Sequence, residues 1–168
     1  MDTDDLDQRQ RHLRDLLKSF DTAMLVTRTG TGTMRARPLS LSEQHDGGQL
    51  YFATSVDSPK VDEIESYPDV LVTLQDSRRY VSITGAARIS RERSLIERLW
   101  REPWRVWFPQ GKDDPALCLV VVTPREAEYW DQGGAKGIKY LLEMAKAYAT
   151  GTTPASNASS DNRKVRFP

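Results

Sequence analysis

The window Phe52 to Lys60, FATSVDSPK, ends an apolar run in small polar residues and passes directly into Ser58-Pro59-Lys60, a pattern that opens a helix. Ser58 is a natural N-cap, and Pro59 suits the first helical position because its missing N–H costs nothing there. A helix N-terminus presents unpaired N–H groups and about half a positive charge, so it favours an anion. Lys60 stands at the unfavourable end of that dipole, at a cost on the order of 0.3–1 kcal/mol. Two readings compete: either the ammonium reaches an anion, or it is solvated and offset by Asp57, Asp62 and Glu63. In Met34 to Leu39, MRARPL, Arg35 and Arg37 lie two apart on a strand and project to one face. Like charges so placed repel unless they are exposed or share an anion, and arginine binds phosphate bidentately. Pro38 removes a ladder donor and marks an edge or a bulge. Finally, Trp100, Trp104, Trp107 and Phe108 precede PQGKDDP. Clustered tryptophans build cores and interfaces more often than cofactor walls, and a ligand between two subunits would need both.

Other chemistries are excluded or unsupported. His12 and His45 have no Cys, Asp or Glu at metal-ligand spacing, no nucleophilic triad can be assembled, and Gly30-Thr31-Gly32 lacks the spacing of a dinucleotide or P-loop motif. The 24 Lys and Arg residues balance 24 Asp and Glu, so no net field draws the molecule to polyanions. The arginines from Arg88 to Arg105 alternate with Glu92, Glu97 and Glu102, which reads as a salt-bridged solvated face rather than a nucleic-acid patch. Cys118 lies in the apolar run LCLVVV and reads as a buried structural thiol. The acidic, polar start resembles neither a signal nor a transit peptide, and no apolar stretch is long enough to span a membrane. The expectation is a soluble cytoplasmic protein.

The elements that would position these residues follow from periodicity. Leu6, Leu13, Leu16, Leu17 and Phe20 recur at helical spacing, predicting a first helix of about 14 residues. The period then becomes two. Thr22 to Arg28, Thr33 to Leu41 and Leu50 to Thr54 are strands parted by Gly30-Thr31-Gly32 and Asp46-Gly47-Gly48, read as an antiparallel meander. A short helix from Pro59 to Ser66 precedes strands at Val70 to Gln75 and Tyr80 to Ile89, the latter bulged or closely approached at Gly85. Glu92 to Trp100 is helical, Trp104 to Phe108 is a second short piece, and Leu117 to Trp130 is a long strand. Ile138, Leu141, Leu142 and Ala145 predict a last helix, followed by a polar stretch and a flexible tail. The organisation predicted is one domain over 1–150 and a flexible segment over 151–168. The fold class is mainly β (α+β), a small antiparallel barrel with peripheral helices.

Taken in order, ARPL, FATS with SPK, VSITGAARI, and WRVWFPQGKDDPALCLVVVTPREAEYWD resemble the general-stress branch of the pyridoxamine-phosphate-oxidase-like, FMN-binding split-barrel family. The resemblance covers Leu16 to Asp131. It implies a homodimer of split barrels holding two FMN molecules at the interface, with FAD as the alternative flavin. It further implies that Arg35 or Arg37, with Ser58 and Lys60, holds the phosphate, and that Pro38, Leu39, Ala53 and Thr54 line the isoalloxazine. Gln75 would reach the ring edge, and Trp107 would be an aromatic wall from the second subunit. The function implied is flavin-dependent oxidoreduction, with a nicotinamide nucleotide as one candidate donor; the alternative is a non-enzymatic module that stores or senses flavin. The C-terminal Arg-x-His pattern of the vitamin-forming oxidases has no match here, and Gly133 to Tyr140 diverges from them, so oxidation of pyridoxamine phosphate is disfavoured.

Overall fold

A computed structural model describes residues 3–42, 48–131 and 161–167. Helix α1 (Thr3–Leu17) leads the chain, and Leu13, Leu16, Leu17 and Phe20 bury one side of it and of its exit. Strands β1 (Thr22–Arg28), β2 (Met34–Ser40) and β3 (Leu50–Ser55) follow, then helix α2 (Pro59–Ser66). Strands β4 (Asp69–Gln75) and β5 (Arg79–Ser90), helix α3 (Arg93–Leu99) and two 3-10 turns (Glu102–Val106 and Gly111–Asp113) lead to β6 (Leu117–Asp131) and β7 (Asp161–Arg166). The helix expected around Ile138 lies outside the described residues.

Every strand pairing is antiparallel, in the order β2-β1-β4-β5-β6-β3, with β7 added to β6. A bridge from Leu41 to Phe52 joins the two ends of that order and closes the sheet on itself. The mainly β split barrel with peripheral helices is therefore the fold observed. The simple meander expected over the first three strands is not: β3 pairs along its whole length with β6, and meets the β2 end only at that bridge. Burial explains the choice. Leu50 and Phe52 enter the barrel core while Tyr51 enters a second apolar cluster with Leu95, Ile96, Leu99 and Trp104, so β3 must be covered on both faces. Beside β6, whose Leu119 to Val122 are fully buried, both faces are covered; beside the largely exposed β2 they would not be.

The C-terminal end also differs from the free tail that its composition suggests. Val165 stands opposite Ala127 and is fully buried in the barrel core, and Phe167 packs against the same core. Arg166 reaches Glu126 at 3.3 Å and Lys164 lies 4.0 Å from Glu128. One inward valine between outward cations is a period-two strand signal too short to outweigh the polar residues before it.

Gly85 sits where the β5–β6 register shifts, as its position in a strand suggested. A Cβ there would lie 2.4 Å from the Thr123 carbonyl oxygen, a backbone atom that cannot rotate away. Gly85→Ala should therefore destabilise the protein by about 1–3 kcal/mol, read as a lower urea midpoint with unchanged slope. An unchanged midpoint would mean that β6 yields freely at this point.

Candidate functional site

Helix α2 packs against β1 and β5, with Ile64 in the core and Lys60 and Glu63 one turn apart on its buried side. Ser58 has the extended backbone of an N-cap, but its hydroxyl makes no capping bond. Instead it accepts a hydrogen bond from Lys60 Nζ at 2.5 Å, and Thr54 Oγ1 accepts another at 2.9 Å. Lys60 is only 8% exposed. Among the described residues no carboxylate stands within ion-pair distance of its ammonium, so the solvated lysine offset by neighbouring acids is not what forms. Burial, and then the nearby Arg37 guanidinium, hold its pKa below the ordinary lysine value.

Glu63 faces the arginines instead. Arg37 Nη2 donates to Glu63 Oε1 at 2.9 Å and to Oε2 at 2.7 Å, while Arg37 Nη1 donates to Thr27 Oγ1 at 2.7 Å. Thr27 in turn donates to Glu63 Oε2 at 2.6 Å. Burial alone would raise the Glu63 carboxyl, but the hydrogen bonds from Thr27 and Arg37 outweigh it and hold the pKa below the usual glutamate value. Arg35 approaches the same carboxylate only to 3.6 Å, with a side chain that is 58% exposed. The two arginines share a face, as their spacing requires, but not a role. Thr27 was not singled out from sequence, and Glu63 was named only as an acid that would offset a solvated Lys60. The available signals were a Lys-x-x-Glu pair on one helix side and a threonine at the inward period of Ala23 and Leu25.

The structure thus gathers Arg35, Arg37, Thr54, Ser58 and Lys60 and disperses the rest. Leu39 is half-buried against the barrel core, whereas Pro38 is exposed on edge strand β2 opposite Met24. Ala53 packs toward the cluster under α3 while Thr54 turns to Lys60, because successive strand residues face opposite ways. Their side chains cannot line a single surface. Gln75 is exposed at the end of β4, five residues along the strand direction from the level of Thr27, about 17 Å. Trp104 is core, and Trp107 is 68% exposed on the surface segment that follows it.

As a donor set the cluster suits a phosphate. Lys60 keeps a third N–H, the Ser58 hydroxyl that accepts from Lys60 can donate its proton outward, and Arg35 is held only by a 3.6 Å ion pair to Glu63, so its fork can turn to a ligand. Three cations against one carboxylate leave two positive charges, matching a phosphate monoester dianion. Among the described residues no group of three or more His, Cys, Asp or Glu could hold a metal ion. None of their helices is long and apolar enough to cross a membrane.

A family model described as pyridoxamine 5'-phosphate oxidase like matches residues 8–155. The chain belongs to this family. Among curated proteins it is similar to general stress protein 26 of Bacillus subtilis (strain 168), 32% identical over 94 residues, covering 53% of this chain and 66% of that one. It is similar also to protein bli-3 of Neurospora crassa, 27% identical over 136 residues, covering 74% of this chain and 65% of that one. It thus spans just under two thirds of the length of either relative. Among solved structures, a protein assigned to general stress protein 26 from Jannaschia sp. CCS1 superposes with a TM-score of 0.75 at 25% identity, covering 96% of this chain and 99% of that one. The general stress FMN/FAD binding protein of Xanthomonas citri superposes with a TM-score of 0.67 at 26% identity, covering 77% and 92%. The family resemblance in the sequence is therefore correct, and it extends beyond the segment that carried it.

Proposed function

We propose that this family member binds FMN, with the phosphate held by Lys60, Ser58 and Arg35 at the start of α2 and with Arg37 as a fixed charge beside them. The observation that carries the reading is Lys60, a buried ammonium whose hydrogen-bond partners are two hydroxyls and which, among the described residues, makes no direct ion pair with a carboxylate. A buried cation without a direct ion-pair partner is costly, and an anionic ligand relieves the cost. Membership of the family, and the flavin named for the Xanthomonas citri relative, narrow that anion to a flavin phosphate. When bound, the flavin supplies two-electron redox chemistry, and the protein contributes anchoring and exclusion of water.

A second copy of the chain would complete the site. Met24 and Met34 on the β1–β2 hairpin, and Val106 and Trp107 beyond α3, are exposed apolar side chains, and Met34 adjoins Arg35. Covering them in a homodimer would bury apolar surface and give Trp107 a place against the partner's flavin. Reduction of the bound flavin by a nicotinamide nucleotide is the activity to assay; a storage or sensing module would show no saturable reduction above that of free flavin.

Titration of the purified, flavin-free protein should give stoichiometric binding of FMN, seen as a resolved visible spectrum and quenched fluorescence, and weaker binding of riboflavin. Failure to bind FMN stoichiometrically would reject the proposal.

A further inference from the structure

Two arginines meet one buried carboxylate on unequal terms. Arg37 commits Nη2 to both Glu63 oxygens and Nη1 to Thr27, and its side chain is 23% exposed. Arg35 lies only at ion-pair distance from the same carboxylate and is mostly in water. Glu63 is about nine-tenths buried and accepts three hydrogen bonds that do not involve Arg35. If Arg35 leaves, those three bonds remain. If Glu63 were absent, Arg37 would lose its brace and would repel Lys60 within a half-dry cluster.

We propose that Glu63 is a positioning residue of the anion site: it braces Arg37 as a fixed charge beside Lys60 and holds Arg35 loosely enough to pass to an incoming phosphate. The inference rests on the phosphate reading of the Lys60 cluster. The carboxylate does not touch the ligand in this arrangement; it acts through the arginines. Its negative charge also keeps the site at two net positive charges, so that three cations can stand together without an anion present. Transfer of Arg35 from Glu63 to phosphate exchanges one weak, solvent-exposed ion pair for a bidentate one.

The test is a mutant cycle on the full chain, with dissociation constants for FMN and riboflavin measured by fluorescence and folding of each variant checked by circular dichroism. Glu63→Gln should weaken FMN about tenfold and leave riboflavin unchanged, because only the phosphate contacts depend on the brace. In an Arg37→Ala background the same substitution should have a much smaller effect on FMN, since the braced group is gone and only the loose hold on Arg35 remains. Arg35→Ala should weaken FMN by a similar factor, and its effect should persist in the Arg37→Ala background. An FMN affinity that is unchanged or tighter in Glu63→Gln would overturn the inference, showing that the carboxylate merely repels the ligand. So would equal losses for FMN and riboflavin, or a full effect without Arg37. If Glu63→Gln does not fold, Glu63→Asp replaces it, with a smaller loss expected in the same pattern. Failure of the wild type to prefer FMN over riboflavin would instead refute the phosphate reading beneath it.

Discussion

Replacing Lys60 by alanine should weaken FMN binding by roughly 10- to 100-fold, the value of a charge-assisted hydrogen bond, while riboflavin binding stays within about twofold. The two ligands differ only in the phosphate, so their ratio isolates the ammonium. The structure makes a second outcome part of the same prediction. Burial already depresses the Lys60 pKa, which means that the folded protein without ligand carries a cost for keeping the charge inside. Lys60→Met should therefore leave the urea midpoint of the flavin-free protein almost unmoved, while lowering the extra stability that saturating FMN confers on the wild type by about 1.4–2.7 kcal/mol. A large loss of flavin-free stability, with equal loss of affinity for both flavins, would assign Lys60 to packing and remove it from the site.

The second large effect concerns the C-terminal strand. Val165 is fully buried opposite Ala127, and Glu126 and Glu128 lie on either side of that partner. Val165→Asp places an unpaired carboxylate in the barrel core, on the face opposite to the outward Lys164 and Arg166, and should cost on the order of 3–5 kcal/mol. Thermal or urea unfolding would register this directly. For a tail that does not dock, the same substitution would be silent. Arg163→Asp provides the comparison: the side chain at 163 is only partly buried, so its effect should be several-fold smaller.

Where local chemistry and global fold agree, the sequence was easily read. The N-terminal helix, the strands at Thr22 to Arg28 and Val70 to Gln75, the helix after Ser58 and the bulge at Gly85 all follow from rules that operate over a few residues. Lys60 was legible for the same reason, since its dipole conflict is visible in Ser58-Pro59-Lys60. Glu63 was not. It reads as one more acidic residue in a helical turn, and only the folding of α2 over β1 and β2 sets it against Thr27 and Arg37, 36 and 26 residues away. The same limit affects Ala53 and Thr54. Adjacent in sequence, they serve different surfaces because β3 has one face in the barrel and the other under α3.

By itself the sequence determined the order of helices and strands up to Asp131 and the cation at a helix start, because these are written in short-range periodicity, capping and charge, while the family was carried by the resemblance of motifs taken in order. The tertiary structure alone decided that β3 pairs with β6, that Asp161–Arg166 joins the sheet, and that the two arginines divide their tasks. Those outcomes depend on which apolar faces can be covered together and on which charges end up sharing one desolvated carboxylate. Both are properties of residues brought together from far apart in the chain, where water is excluded and pairing becomes obligatory.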